Sequence, residues 1–236
     1  MATAGINPKY ADRIEKLKEK LLTTYPEIDL EDAKILTESF LETQGEPLVT
    51  RKAKAFRKQC SEKTVTIWDH ELIVGNSGSK IRGGILSADV CWSVLNRELD
   101  TINTRAYDKF HLLPEDRKTF VDLIRPYWKG RSSYEEWLAR IPSDVAALRD
   151  NGALYIDKKA VRGWGEVTAG YEWFINNGVE GIVAKITEEK SKLDATRPGD
   201  YEKEIYLDAL LVVAEGMVIL AGRYADEADR LAGLEA

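Results

Sequence analysis

The chain has 236 residues, 44% hydrophobic and 31% charged, the balance of a soluble globular protein long enough to bury one sizeable core or two small ones. Its 34 Lys and Arg against 40 Asp and Glu give a formal net charge of −6, which disfavours nucleic acid as the main partner because phosphate neutralisation needs a basic surface. The opening MATAGINPKYADRIEK lacks a signal peptide's apolar core, so a cytoplasmic location is the default, and no apolar run reads as long enough to span a bilayer.

In chain order, residues 8–24 place Ile14, Leu17, Leu21 and Leu22 at helical spacing, with Glu and Lys on a solvated face. Tyr25-Pro26 ends that helix, because proline biases its predecessor away from helical angles. Asp29 is then the expected N-cap of a second helix, with Asp32 completing a weak capping box, and this helix runs to about Thr43 around Ala33, Leu36 and Phe40. After Gly45 and Pro47, residues 48–61 form a basic amphipathic helix, read as a surface helix in preference to a polyanion patch.

Residues 64–86 change character: Val65, Ile67, Leu72, Ile73 and Val74 are short β-prone runs, Asp69-His70 a turn between them, and Gly75, Gly78, Gly83 and Gly84 mark an extended loop. The Walker spacing is absent, so phosphate cradling has little support. Helices follow at about 88–103 (Val90, Leu95, Leu99 and Ile102 inside), 114–129 and 132–139. Another runs between Pro142-Ser143 and Gly152, and a further one spans Ala169 to Glu188. A last helix starts near Asp200 and reaches about Leu231. Its apolar positions 205, 209, 210, 212, 213, 216, 217, 219 and 220 make it a helix buried nearly all round, which needs partners on several sides and suggests a core completed by something else. The expected class is mainly α, with one short β-prone segment near 64–86.

Reactive residues are few. Cys60 and Cys91 have no C-x-x-C spacing, so a disulfide scaffold or zinc site is disfavoured and both read as structural thiols. His70 and His111 are the only imidazoles, too few for a histidine-rich metal site. Arg82 reads as structural at a glycine-rich bend, Tyr171 as a packing residue, and Trp68, Trp92, Trp128, Trp137 and Trp173 as core or interface.

The one stretch with ligand-binding character is VRGWGEVTAGYEW at 161–173. Arg162 and Glu166 stand four residues apart around Gly163 and Gly165, which permit close backbone approach, and Trp164 sits between them. Arg162 offers a rigid fork of donors for carboxylate, phosphate or sulfonate oxygens. On the residues alone, Arg162 and Glu166 equally fit a mutual ion pair closing a turn, and Trp164 fits core packing.

The segments RIEKLKEKLLTTYPEIDLEDAKILTESF (13–40), PLVTRKAKAF (47–56), TIWDHELIVGNSG (66–78), RELDTINTRAYDKFHLLPEDRKTF (97–120), PYWKGRS (126–132) and EGMVILAGRYADEADRLA (215–232) together resemble the N-terminal part of glycyl radical enzymes. The likeness is to the pyruvate formate-lyase superfamily, in its branch of dehydratases and lyases acting on glycerol, propanediol, choline and isethionate. It implies that residues 1–236 are the leading helical part of an α/β barrel, and anaerobic metabolism. It also implies a glycyl radical near the C-terminus, a cysteine on a central loop that receives it, and a separate activating enzyme that uses S-adenosylmethionine and an iron–sulfur cluster.

Neither catalytic motif is found in this sequence. Cys60-Ser61-Glu62 matches the cysteine-loop letters at the wrong place, and AGYEW at 169–173 echoes only the end of the radical-glycine motif. No residue here is therefore assigned as catalytic. The chain is expected to be a fragment, a truncated form or one subunit of a split enzyme, acting as a homodimer of the complete enzyme or with a second chain that carries the catalytic loop. The rival expectation is a non-catalytic helical subunit or scaffold.

The resemblance also makes 165–171 a substrate-contacting turn, with Arg162, Trp164 and Glu166 as candidate substrate contacts. The isethionate branch has an arginine four residues before a glutamine, and here glutamate takes the glutamine's place. A carboxylate beside a sulfonate repels it unless it binds a hydroxyl or is protonated. That points to a longer hydroxylated sulfonate, a polyol or an amino alcohol.

Overall fold

The periodic apolar spacing in the sequence becomes a helical layer whose elements meet around a small parallel two-stranded sheet. The computed structural model describes residues 8–154, 170–194 and 196–235. The order is α1 (Pro8–Thr23), β1 (Glu27–Asp29), α2 (Glu31–Glu42), α3 (Leu48–Glu62), β2 (Gly83–Ile85) and α4 (Ala88–Glu98). Next come α5 (Pro114–Thr119), a π-helical turn (Phe120–Ile124), α6 (Arg125–Trp128), α7 (Ser133–Arg140), α8 (Ser143–Asp150), α9 (Tyr171–Ser191) and α10 (Asp200–Glu235). The mainly helical class expected from the sequence is the class observed, with helix boundaries close to those read from the apolar period.

The strand content differs from expectation. β1 and β2 pair in parallel with Glu27 opposite Gly83, Ile28 opposite Gly84 and Asp29 opposite Ile85. On the other side of β1, Ile28 N–H donates to the His111 carbonyl and His111 N–H to that of Pro26, at 2.9 and 2.8 Å. The β-prone runs at 65–74 form no strand, because no neighbouring chain offers them a ladder. Asp29, expected as an N-cap, ends β1 instead. Leu30 is the N-cap of α2, and the Asp29 carboxylate accepts the Glu31 N–H at 3.1 Å from one residue further back.

Gly78 and Gly84 have steric causes. A Cβ on Gly84 would stand 2.7 Å from Phe110 Cε1, and one on Gly78 would stand 2.8 Å from Asp29 Oδ2. Only a bare Cα lets β2 lie against the Phe110 ring and lets the loop reach the Asp29 carboxylate.

The core joins β1, α2, α4 and the 114–128 helix: Leu30, Phe120 and Ile124 are fully buried, with Trp92, Leu95 and Trp128 around them. Trp128 Nε1 donates to Thr37 Oγ1 at 2.8 Å, and Thr37 in turn donates to the Ala33 carbonyl at 2.6 Å, so both buried polar groups are satisfied. The π turn has a local cause. Pro126 has no N–H, and its ring would crowd the carbonyl four residues back, so the ladder widens and Arg125 N–H reaches the Phe120 carbonyl.

α7 begins with a capping box not foreseen in the sequence reading: Ser132 accepts the Glu135 N–H, and Glu135 reaches back to the Ser132 backbone. The same carboxylate accepts Trp92 Nε1 at 2.8 Å, Gly130 N–H at 3.0 Å and Ser132 Oγ at 2.7 Å. Burial pushes the Glu135 carboxyl up, but these donors outweigh it and hold it below its usual range.

Two expectations about single helices are corrected. α3 is a spine between α2 and α10, with Ala53, Ala55 and Cys60 buried, because its small residues admit neighbours on two sides and its cations meet their carboxylates. α10 is buried at Asp200, Ala209, Ala214 and Gly216 and only half-buried at most of its other apolar positions, while Tyr206 and Val218 are more than half exposed. Gly216 fits against α3, where an added Cβ would stand 3.1 Å from Arg57 Cα. Residues 200–234 also reach the length and apolarity of a membrane span, with a peak mean hydropathy of 1.9, contrary to the sequence reading. Arg57–Glu215 at 2.8 Å, and Arg223 on the Cys60 and Lys63 carbonyls, tie this helix to the polar helix α3.

Gly84→Ala is expected to destabilise the fold by about 1–3 kcal/mol, since a rigid ring blocks the new methyl. Urea denaturation with an unchanged midpoint would remove this steric account. Glu135 titrates below its usual 4.5 in the folded state, so its contribution is complete above that pH and is lost as pH falls through the folded value. Glu135→Gln should therefore cost about 1–2 kcal/mol at neutral pH. It should also flatten the acid limb of stability against pH, measured by urea melts from neutral to acid pH.

Candidate functional site

Arg162, Trp164 and Glu166 lie outside the described residues, so their geometry as substrate contacts is left to proposal. What is described is the frame on either side. α8 ends at Asp150, and Gly152 (φ 78°) follows with its N–H on the Arg149 carbonyl at 3.0 Å. The chain is described again from Gly170, whose carbonyl accepts the Phe174 N–H at 3.0 Å as the first turn of α9 forms. Tyr171, expected to pack, is 68% exposed at the start of α9, where none of the described elements covers it. Trp173 is also exposed, with Lys185 Nζ 5.7 Å from its ring centre. α9 breaks at Gly178 (φ 65°), a left-handed angle that glycine adopts without penalty.

The other candidates separate cleanly. Arg82 donates from Nη1 to the Leu21 and Thr24 carbonyls at 3.0 and 2.8 Å, closing the C-terminal end of α1, as a structural role requires. His70 occupies a turn with φ 72°, and its carbonyl accepts Arg13 Nε at 2.6 Å. His111 serves the sheet through its backbone and meets Tyr25 edge to face, with ring centres 6.2 Å apart. Trp92 and Trp128 are core residues, Trp137 stacks on Tyr134, and Lys20 lies over the Trp68 ring.

Cys60 is buried on α3, and desolvation pushes its thiol up, the opposite of what a nucleophile needs. Cys91 is half-buried where α4 departs from helical angles (φ −149°, ψ 46°), on the wall of a cavity of about 240 Å³ between α4, β2 and Phe110. No group of three or more His, Cys, Asp or Glu side chains suited to a metal ion occurs among the described residues.

The turn expected at Asp69-His70 extends over 68–76. Glu71 accepts Trp68 N–H at 3.1 Å and Asn76 Nδ2 at 3.0 Å, closing the turn at its base while Leu72, Ile73 and Val74 project outward. The alternation of a carboxylate with an aliphatic triplet in HELIVGN was the signal available for it.

The pyruvate formate lyase-like family matches residues 7–236, and the chain belongs to that family. It corresponds to an N-terminal portion of a glycyl radical enzyme.

It is 31% identical over 232 residues to the isethionate sulfite-lyase of Nitratidesulfovibrio vulgaris, covering 95% of this chain and 28% of that enzyme. The glycerol-bound B12-independent glycerol dehydratase of Clostridium butyricum superposes with a TM-score of 0.88 at 27% identity, over 98% of this chain and 29% of that one. A glycyl radical enzyme from Archaeoglobus fulgidus superposes with a TM-score of 0.86 at 25% identity, over 95% of this chain and 29% of that one. The chain thus spans somewhat over a quarter of the length of these relatives.

Native-state iodoacetamide should modify Cys60 at less than about a tenth of the rate seen in denaturant, because the thiol is buried and its ionisation disfavoured. Comparable rates, read by peptide mass, would restore Cys60 as a candidate nucleophile.

Proposed function

We propose that this chain is the leading portion of a glycyl radical lyase or dehydratase that eliminates sulfite, water or an amine from a small hydroxylated substrate. The observation that carries the reading is the match to isethionate sulfite-lyase along 95% of the chain. That match gives weight to a substrate turn containing Arg162, Trp164 and Glu166. Arg162 would grip a sulfonate or similar anion through a bidentate fork. Glu166 would accept a hydrogen bond from a substrate hydroxyl, which favours a hydroxyalkanesulfonate with a hydroxyl in reach over one that brings only its sulfonate to this turn. Trp164 would form an apolar wall between them.

The glycyl radical and the cysteine that receives it would belong to the catalytic portion, installed and used there. No motif for either occurs among this chain's residues, so no step is assigned to them here. A separate activating enzyme, and a cytoplasmic location, follow from the same reading.

The intact mass of the native polypeptide tests the arrangement. A mass several times that of 236 residues makes this chain the front of a single radical enzyme. A mass equal to 236 residues requires a second chain bearing the cysteine and the glycine, and failure to find one returns the chain to a scaffold role. Within the complete enzyme, Arg162→Lys should lower kcat/KM for a sulfonate substrate by about tenfold or more, since a point charge replaces a fork, while a neutral polyol is little affected. Equal kinetics on both substrates would remove Arg162 from the site.

A further inference from the structure

We draw no further inference here: the strongest candidate, the apolar cavity between α4, β2 and Phe110 with Cys91 on its wall, lies open beside the exposed Ile85 and Val94, and nothing in the structure shows what covers it.

Discussion

The fold turns on one buried carboxylate. Asp29 is 2% exposed, and it accepts hydrogen bonds from Ser79 N–H, Ser79 Oγ, Lys80 N–H and Glu31 N–H. Its oxygens are satisfied by converging N–H and O–H dipoles, as a buried polar side chain requires. The consequences spread outward. The loop after α3 must approach β1 closely enough to donate, which requires Gly78 bare, and β2 must then lie flat on β1, which requires Gly84 bare against Phe110. Leu86 N–H, donating to the Asp29 carbonyl at 3.3 Å, carries the same register towards α4. A two-stranded sheet of three residues per strand has little stability of its own. Here it is held by a side-chain network at its end and by the apolar cluster on its face.

A second organising theme is the use of arginine as a cross-link between helices. Arg51 on α3 donates to the Phe40 carbonyl at 2.7 Å and to Tyr127 Oη at 2.8 Å, while its guanidinium lies 4.4 Å from the Phe40 ring centre. It therefore joins α2, α3 and α6 at one point. Arg223 reaches from α10 to the Cys60 and Lys63 carbonyls, satisfying acceptors that the end of α3 leaves open. These geometries suit a planar fork and not a flexible ammonium. They also explain why a cation-rich helix in an acidic chain is a structural spine and not a polyanion patch.

The sequence made the helices legible because their apolar residues recur at helical spacing and their ends carry Pro, Gly and Ser. It hid β1, since three residues show no measurable alternation, and it presented Asp29 as a cap because aspartate ahead of a helix usually is one. Val65, Ile67 and Ile73 have strand propensity, but propensity without a partner edge makes no ladder, and the segment became a pinned loop. α10 was misjudged for a related reason. Its apolar composition says that it can be buried, while Ala209, Ala214 and Gly216 mark the points where burial is complete. The small residues were the better guide. The candidate substrate residues Arg162, Trp164 and Glu166 were singled out by the glycine-flanked arginine and by resemblance, and they lie outside the described residues; no local pattern distinguishes a ligand-gripping arginine from one that closes a turn.

The distribution of burial bears on how a substrate site here would work. The core lies between β1, α2, α4 and the 114–128 helix, whereas α8 has no buried residue and α9 has only Ile186 among its described positions. The helices that bracket the Arg162–Glu166 segment therefore draw little rigidity from the described core. Substrate discrimination by a bidentate arginine and a carboxylate needs both groups held to within a fraction of an ångström. Under the proposed function, that rigidity has to come from walls outside this core. Docking of the catalytic portion and ordering of the substrate contacts then become a single energetic event. An arginine fork and a glutamate four residues apart would discriminate among substrates only once the radical-bearing portion is in place, so binding competence and chemical competence would arise together.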